Sequence, residues 1–95
     1  MRIAGIQTSA GADLQKNIQR AVEMVELAAE KGARIIGFPE LFLLPWFPGQ
    51  ENKESFSLAR DIASEAFAPF ADASKKADAV LLVPFFEAAA GKYYN

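Results

Sequence analysis

Glu40 is the residue of this 95-residue chain best placed to do chemistry. It follows Pro39 at the end of the apolar run Ala33-Arg34-Ile35-Ile36-Gly37-Phe38. In open parallel sheets the reacting groups collect at the carboxyl ends of strands. Leu41, Phe42, Leu43 and Leu44 come next, and an apolar setting makes a carboxylate a better base near neutrality. The same position has a plainer use: Pro39 and Glu40 can open a helical turn, where the dipole favours an acid. Position alone fits both.

Other side chains divide in the same way. Trp46 and Phe47, between Pro45 and Pro48, either cap a core or subunit interface or form one wall of a ligand pocket. Lys92, beside Tyr93 and Tyr94, is either a catalytic amine or a solvated turn lysine. Thr8, Ser9 and Ser57 have no partner base and read as turn or cap residues. The sequence holds no cysteine, which excludes disulfides, thiolate metal sites and a cysteine nucleophile within these residues. It holds no histidine, so the commonest general base and metal ligand is also missing. No metal site is expected. The glycines at 5, 11, 32, 37, 49 and 91 are too scattered for a phosphate-binding loop.

Ten Lys plus Arg against twelve Asp plus Glu give a net charge of -2. That balance argues against a basic nucleic-acid surface or a polybasic membrane patch. The run Leu41 to Phe47, broken by Pro45, is far short of the ~20 residues of a spanning helix. The opening Met1-Arg2-Ile3-Ala4-Gly5-Ile6-Gln7 turns polar too soon for a signal peptide. A soluble, cytoplasmic protein that binds neither nucleic acid nor membrane is expected.

The elements that must carry these residues follow from periodicity. With 52% hydrophobic and 23% charged residues, the chain is globular, and its length allows one domain or part of one. Arg2 to Thr8 reads as a strand. Asp13 is a good N-cap, and Leu14, Ile18, Ala21, Val22, Val25, Ala28 and Ala29 recur at helical spacing. Gly32 is the natural stop of that helix. Ala33 to Phe38 is a second strand ended by Pro39, so the two strands and the helix form a parallel βαβ unit. Residues 40 to 54 form a long connection. Phe56, Leu58, Ala59, Ile62, Ala63, Ala66, Phe67 and Phe70 predict a second helix, interrupted at Pro69 and ending near Lys75-Lys76. Ala77 to Pro84 is a third strand, apolar on both faces and so expected to be covered on both sides. Phe85 to Ala90 predicts a fourth strand, with a turn at Ala90-Gly91 and a return beginning at Lys92. The short return strand leaves backbone groups without partners, which points to an incomplete domain.

Several of these segments together resemble one family, the carbon–nitrogen hydrolases of the nitrilase superfamily. Ile3-Ala4-Gly5-Ile6-Gln7 resembles the family's first strand, and Asn17 sits where the family usually has an asparagine. Ala33 to Phe42 is similar to its second strand and Pro-Glu segment. Val83-Pro84-Phe85-Phe86-Glu87, followed by Gly91-Lys92-Tyr93-Tyr94-Asn95, resembles its glutamate and Tyr-Asn hairpin. The resemblance covers essentially all 95 residues. It implies an α/β fold, the N-terminal β-α-β-α-β-β portion of a four-layer α-β-β-α sandwich. Residues 1–95 would be the N-terminal part of a single, incomplete hydrolase domain.

By the same resemblance Glu40 is the catalytic general base and Trp46 lines the substrate pocket. The base would take a proton from a cysteine that attacks an amide, carbamoyl or nitrile carbon, with a lysine stabilising the developing charge. No cofactor is implied. The loop Leu44 to Glu51 is similar to that of N-carbamoyl-polyamine amidases. Lys92 is set aside as the family's lysine, because Glu87 before it and Asn95 after it fit the earlier hairpin. The implied partners are a small-molecule substrate and, at full length, further copies of the same chain. Without a thiol the 95 residues alone are expected to be inactive. The alternative is a non-catalytic α/β module, which binds a partner through its sheet edge and the Trp46-Phe47 loop, or a half that pairs with another chain.

Overall fold

A computed structural model describes residues 1–47 and 53–95; Pro48, Gly49, Gln50 and Glu51 of the aromatic loop lie outside them. The order is β1 (Arg2–Gly5), α1 (Leu14–Glu30), β2 (Ala33–Gly37), α2 (Ala68–Ala77), β3 (Val80–Leu82), β4 (Glu87–Ala89) and β5 (Lys92–Tyr94). Two short 3-10 segments, Lys53–Leu58 and Glu65–Phe67, lie between β2 and α2. Strands β1, β2 and β3 form a parallel sheet in that order, and β4 with β5 forms a separate antiparallel hairpin.

Helix α1 begins where Asp13 accepts a hydrogen bond from the Lys16 amide at 3.2 Å, supplying a partner to an otherwise orphaned donor. It ends at Gly32, whose φ of 91° lies in the left-handed region that favours glycine. Its apolar stripe buries Ile18, Ala21 and Val25 against Ala33 and Ile36 of the sheet and Phe70 and Ala73 of α2. Val25 and Ile36 are wholly buried, and burial of each contributes roughly 1.5–3 kcal/mol. The ion pair from Lys76 to Glu26, 3.6 Å between α2 and α1, joins two largely exposed side chains. It adds at most about 1 kcal/mol.

Two expectations change. The second helix does not span 56 to 76 with a break at Pro69. It starts at Ala68, with Pro69 in its first turn. Proline has no N–H to donate and its ring clashes with the carbonyl four residues back, so it opens a helix more readily than it sits inside one. Upstream, Asp61 and Ser64 bind the amides of Ala63 and Ala66 and set local turns instead. Ile62 is exposed, so the apparent stripe is not buried there.

The third strand is also not covered on both sides. Register aligns Ile3 with Ile35 and Val80 across the sheet, and Gly5 with Gly37 and Leu82. Ala4, Ile36 and Leu81 form the intervening row, which packs in the core. The first set faces the other way, with Ile3 72%, Val80 59% and Leu82 58% exposed. Both helices lie on one face, so alternation along each strand leaves the second apolar face without a layer among the described residues.

Candidate active site

The segment carrying Glu40 is fixed by what surrounds it in sequence. Beyond β2 the Phe38 amide still donates to the Leu82 carbonyl at 3.3 Å, and the Ile6 amide donates to that of Gly37 at 2.8 Å. Phe38 is buried and stacks on Phe42 with ring centres 4.2 Å apart. Phe70 of α2 meets both edge-on at 5.6 Å, a geometry that suits the ring quadrupoles. Just after Glu40 the chain makes a turn over Leu41 to Leu44, closed by the Leu44 amide on the Leu41 carbonyl at 3.2 Å. Leu41 adopts a φ of 51°, in a region that costs a branched L-residue roughly 1–2 kcal/mol. Burial of Leu41, Phe42 and Leu43 over-determines that conformation.

The apolar residues after Glu40 therefore pack behind it, not around it. A turn with three successive side chains in the core leaves the fourth outside, and Glu40 is exposed. Its Oε1 accepts a hydrogen bond from Nδ2 of Asn95, at the end of the β4–β5 hairpin. The residues after Pro39 form a turn and no helix, so the dipole reading of this acid lacks its helix.

Asn17, in the first turns of α1, ties the same segment down from the other side. Its Nδ2 donates to the Leu43 carbonyl at 2.9 Å and to the Gly11 carbonyl at 2.9 Å, while its Oδ1 accepts from the Gly11 amide at 3.0 Å. Asn17 thus fastens the loop after β1 and the turn after Glu40 to one helix. The family-like asparagine was visible in the sequence. Its partner, 26 residues away, was not.

The hairpin that delivers Asn95 turns through Ala90 and Gly91, with φ of 50° and 74°. Positive φ at both central residues matches the twist of antiparallel strands. Backbone bonds hold it to the body: the Arg60 amide donates to Phe86 at 2.8 Å, and the Ala88 amide to Arg60 at 2.9 Å. Tyr93 lies 4.6 Å from Phe56 and 5.9 Å from Phe86, ring centre to ring centre. Phe47 reaches Phe86 at 5.3 Å. Strand alternation places Lys92 with Tyr94, opposite the side of Tyr93 and Asn95.

Trp46 is 62% exposed. A cleft of about 330 Å³, partly open to solvent, lies under the Glu40 turn, lined by Leu14, Leu41, Leu43, Leu44, Leu58, Arg60, Phe67, Pro84, Phe85 and Phe86. Apart from Arg60 its walls are apolar side chains, and no acidic or nucleophilic group is among them. Trp46 is not among its walls. Ser57 donates to the Glu54 carbonyl at 2.7 Å, a turn role. Among the described residues no three acidic side chains converge on a metal-binding position, and no helix is long and apolar enough to cross a membrane.

The carbon-nitrogen hydrolase family model matches residues 2–95. Nitrilase homolog 2 of Dictyostelium discoideum is 31% identical over 97 residues, which covers 99% of this chain and 28% of that protein. N-carbamoylputrescine amidase of Solanum tuberosum is 30% identical over 94 residues, covering 98% of this chain and 31% of that protein. The crystal structure of carbon-nitrogen hydrolase from Helicobacter pylori G27 aligns with a TM-score of 0.83 at 27% identity, over 97% of this chain and 32% of that one. The chain spans less than a third of the length of each of these proteins.

Proposed function

The chain belongs to the carbon–nitrogen hydrolase family, and from that premise we propose that it supplies the general base and one helix-backed sheet of an enzyme that hydrolyses amide, carbamoyl or nitrile carbon–nitrogen bonds. Glu40 is the base. It takes the proton of a cysteine thiol, and the thiolate attacks the substrate carbon to form a covalent intermediate. A lysine stabilises the charge that develops on the attacked group. Glu40 returns the thiol's proton to the departing ammonia or amine and, again a carboxylate, deprotonates the water that hydrolyses the acyl intermediate; a nitrile first forms a thioimidate, which adds water before its ammonia leaves. The thiol is supplied by polypeptide outside these 95 residues, which contain no cysteine.

The observation that carries this reading is the placement of Glu40. It stands at the carboxyl end of the central strand, exposed on a turn whose neighbours are buried, with its carboxylate held by an amide. The bare sheet face fits the same reading, because the four-layer sandwich packs a second sheet there. Trp46, exposed and six residues after Glu40, serves as a wall of the substrate pocket. Catalysis through a thiol suits the cytoplasm, where thiols stay reduced, and the working form is a homo-oligomer.

The test is ammonia release by the full-length enzyme from butyramide, N-carbamoylputrescine and benzonitrile. Glu40→Gln is expected to lower turnover of the accepted substrate about 10²–10⁴-fold, the usual contribution of a positioned base, without altering the melting temperature. Undiminished turnover removes Glu40 from the mechanism.

A further inference from the structure

An exposed glutamate on a turn has three rotatable side-chain bonds and samples many positions, whereas a general base must be held within hydrogen-bond reach of the proton it takes. The hydrogen bond from Asn95 resolves this conflict, and it spans 55 residues of sequence. We infer that Asn95 is a positioning residue for Glu40: its amide fixes Oε1 and leaves Oε2, unbound among the described residues, as the oxygen that accepts the proton. This rests on the reading of Glu40 as the base.

Three features of the fold suit Asn95 to that task. Nδ2 is only a donor, so it binds the carboxylate without competing for the incoming proton. The hairpin that carries it is short, turned at Ala90-Gly91, and braced by the Arg60 backbone and by Tyr93 against Phe56. The backbone of Glu40 is separately fixed by the Leu41 turn and the Asn17 bond to Leu43, so the side chain is the one mobile part left to restrain.

The experiment compares Asn95→Ala, Asn95→Asp and Asn95→Gln in the full-length enzyme, using whichever of butyramide, N-carbamoylputrescine and benzonitrile is turned over fastest. Asn95→Ala is expected to lower kcat about 10- to 100-fold, the scale of a misplaced catalytic group, with KM changed less than twofold. Asn95→Asp is nearly isosteric but faces the carboxylate with another carboxylate, and is expected to fall further. Asn95→Gln keeps the donor and is expected to recover part of the loss. Melting temperatures identify any variant that fails to fold, and the isosteric Asn95→Asp then decides the matter. In a Glu40→Gln background the Asn95 changes are expected to add nothing. If Glu40→Gln is inactive while the Asn95 variants stay within twofold of the parent, the positioning role is wrong and the base assignment stands. If the Asn95 loss persists at full size with Glu40 removed, Asn95 acts on something else. If Glu40→Gln remains active, the base assignment itself has failed.

Discussion

Replacing Asn17 with aspartate is expected to destabilise the fold more than replacing it with alanine, although aspartate keeps the shape. The reason lies in the direction of three hydrogen bonds. Alanine deletes all of them, but two serve the exposed backbone of Gly11, which water can satisfy at little cost. The third leaves the part-buried Leu43 carbonyl without a donor, a loss of about 1–3 kcal/mol. Alanine regains roughly 0.5 kcal/mol of helix propensity, for a net loss near 1–2 kcal/mol. Aspartate retains the bond from the Gly11 amide. However, it turns its second oxygen, a negative acceptor, toward the carbonyls of Gly11 and Leu43, where the amide donated. Loss of both donors plus that repulsion costs about 3–4 kcal/mol, offset by up to about 1 kcal/mol from a negative charge near the N-terminus of α1. Urea unfolding followed by far-UV circular dichroism, read as midpoints at constant m-value, measures the order. Amide exchange at Leu44, whose N–H closes the turn on Leu41, should quicken in both variants. An aspartate variant as stable as the alanine variant would refute the assignment of Nδ2 as donor to Leu43.

Phe42→Ala is expected to cost about 3–5 kcal/mol, because it removes a buried ring that contacts both Phe38 and Phe70; a loss under 1 kcal/mol by the same unfolding assay would show that the turn after Glu40 is not anchored there. Leu82→Lys lies on the bare sheet face. In the 95-residue chain it is expected to change stability by less than about 0.5 kcal/mol, whereas in the full-length enzyme, with a second sheet on that face, it should lower the melting temperature by many degrees. Equal effects in both would contradict the layer assignment.

Much of the fold was legible because it is written in local rules. Asp13 and Gly32 bound α1 as their capping chemistry requires, and the apolar runs after Gly32 and after Ala77 mark β2 and β3 of the parallel sheet. The second helix misled because Phe56 to Phe67 carry helical spacing that the capping groups of Asp61 and Ser64, and the ring of Pro69, override. The run apolar on both faces does form a strand, but the layer it calls for is not among the described residues. At the site, the position of Glu40 just beyond a buried strand was legible, because Pro39 ends the apolar run. Its contact with Asn95 was not, since only the fold brings the end of the hairpin to the turn. Nor did the sequence show that Leu41, Phe42 and Leu43 would turn inward, and so leave the carboxylate outside their cover.

The base role of Glu40 is tested most directly on the thiol it serves. In the full-length enzyme the rate at which iodoacetamide alkylates the nucleophilic cysteine at pH 7 reports how readily that thiol is deprotonated, since the thiolate is the reacting form. Glu40→Gln is expected to slow that alkylation at least about 10-fold while leaving other cysteines unaffected. Alkylation at the parent rate would contradict the assignment of Glu40 as the base.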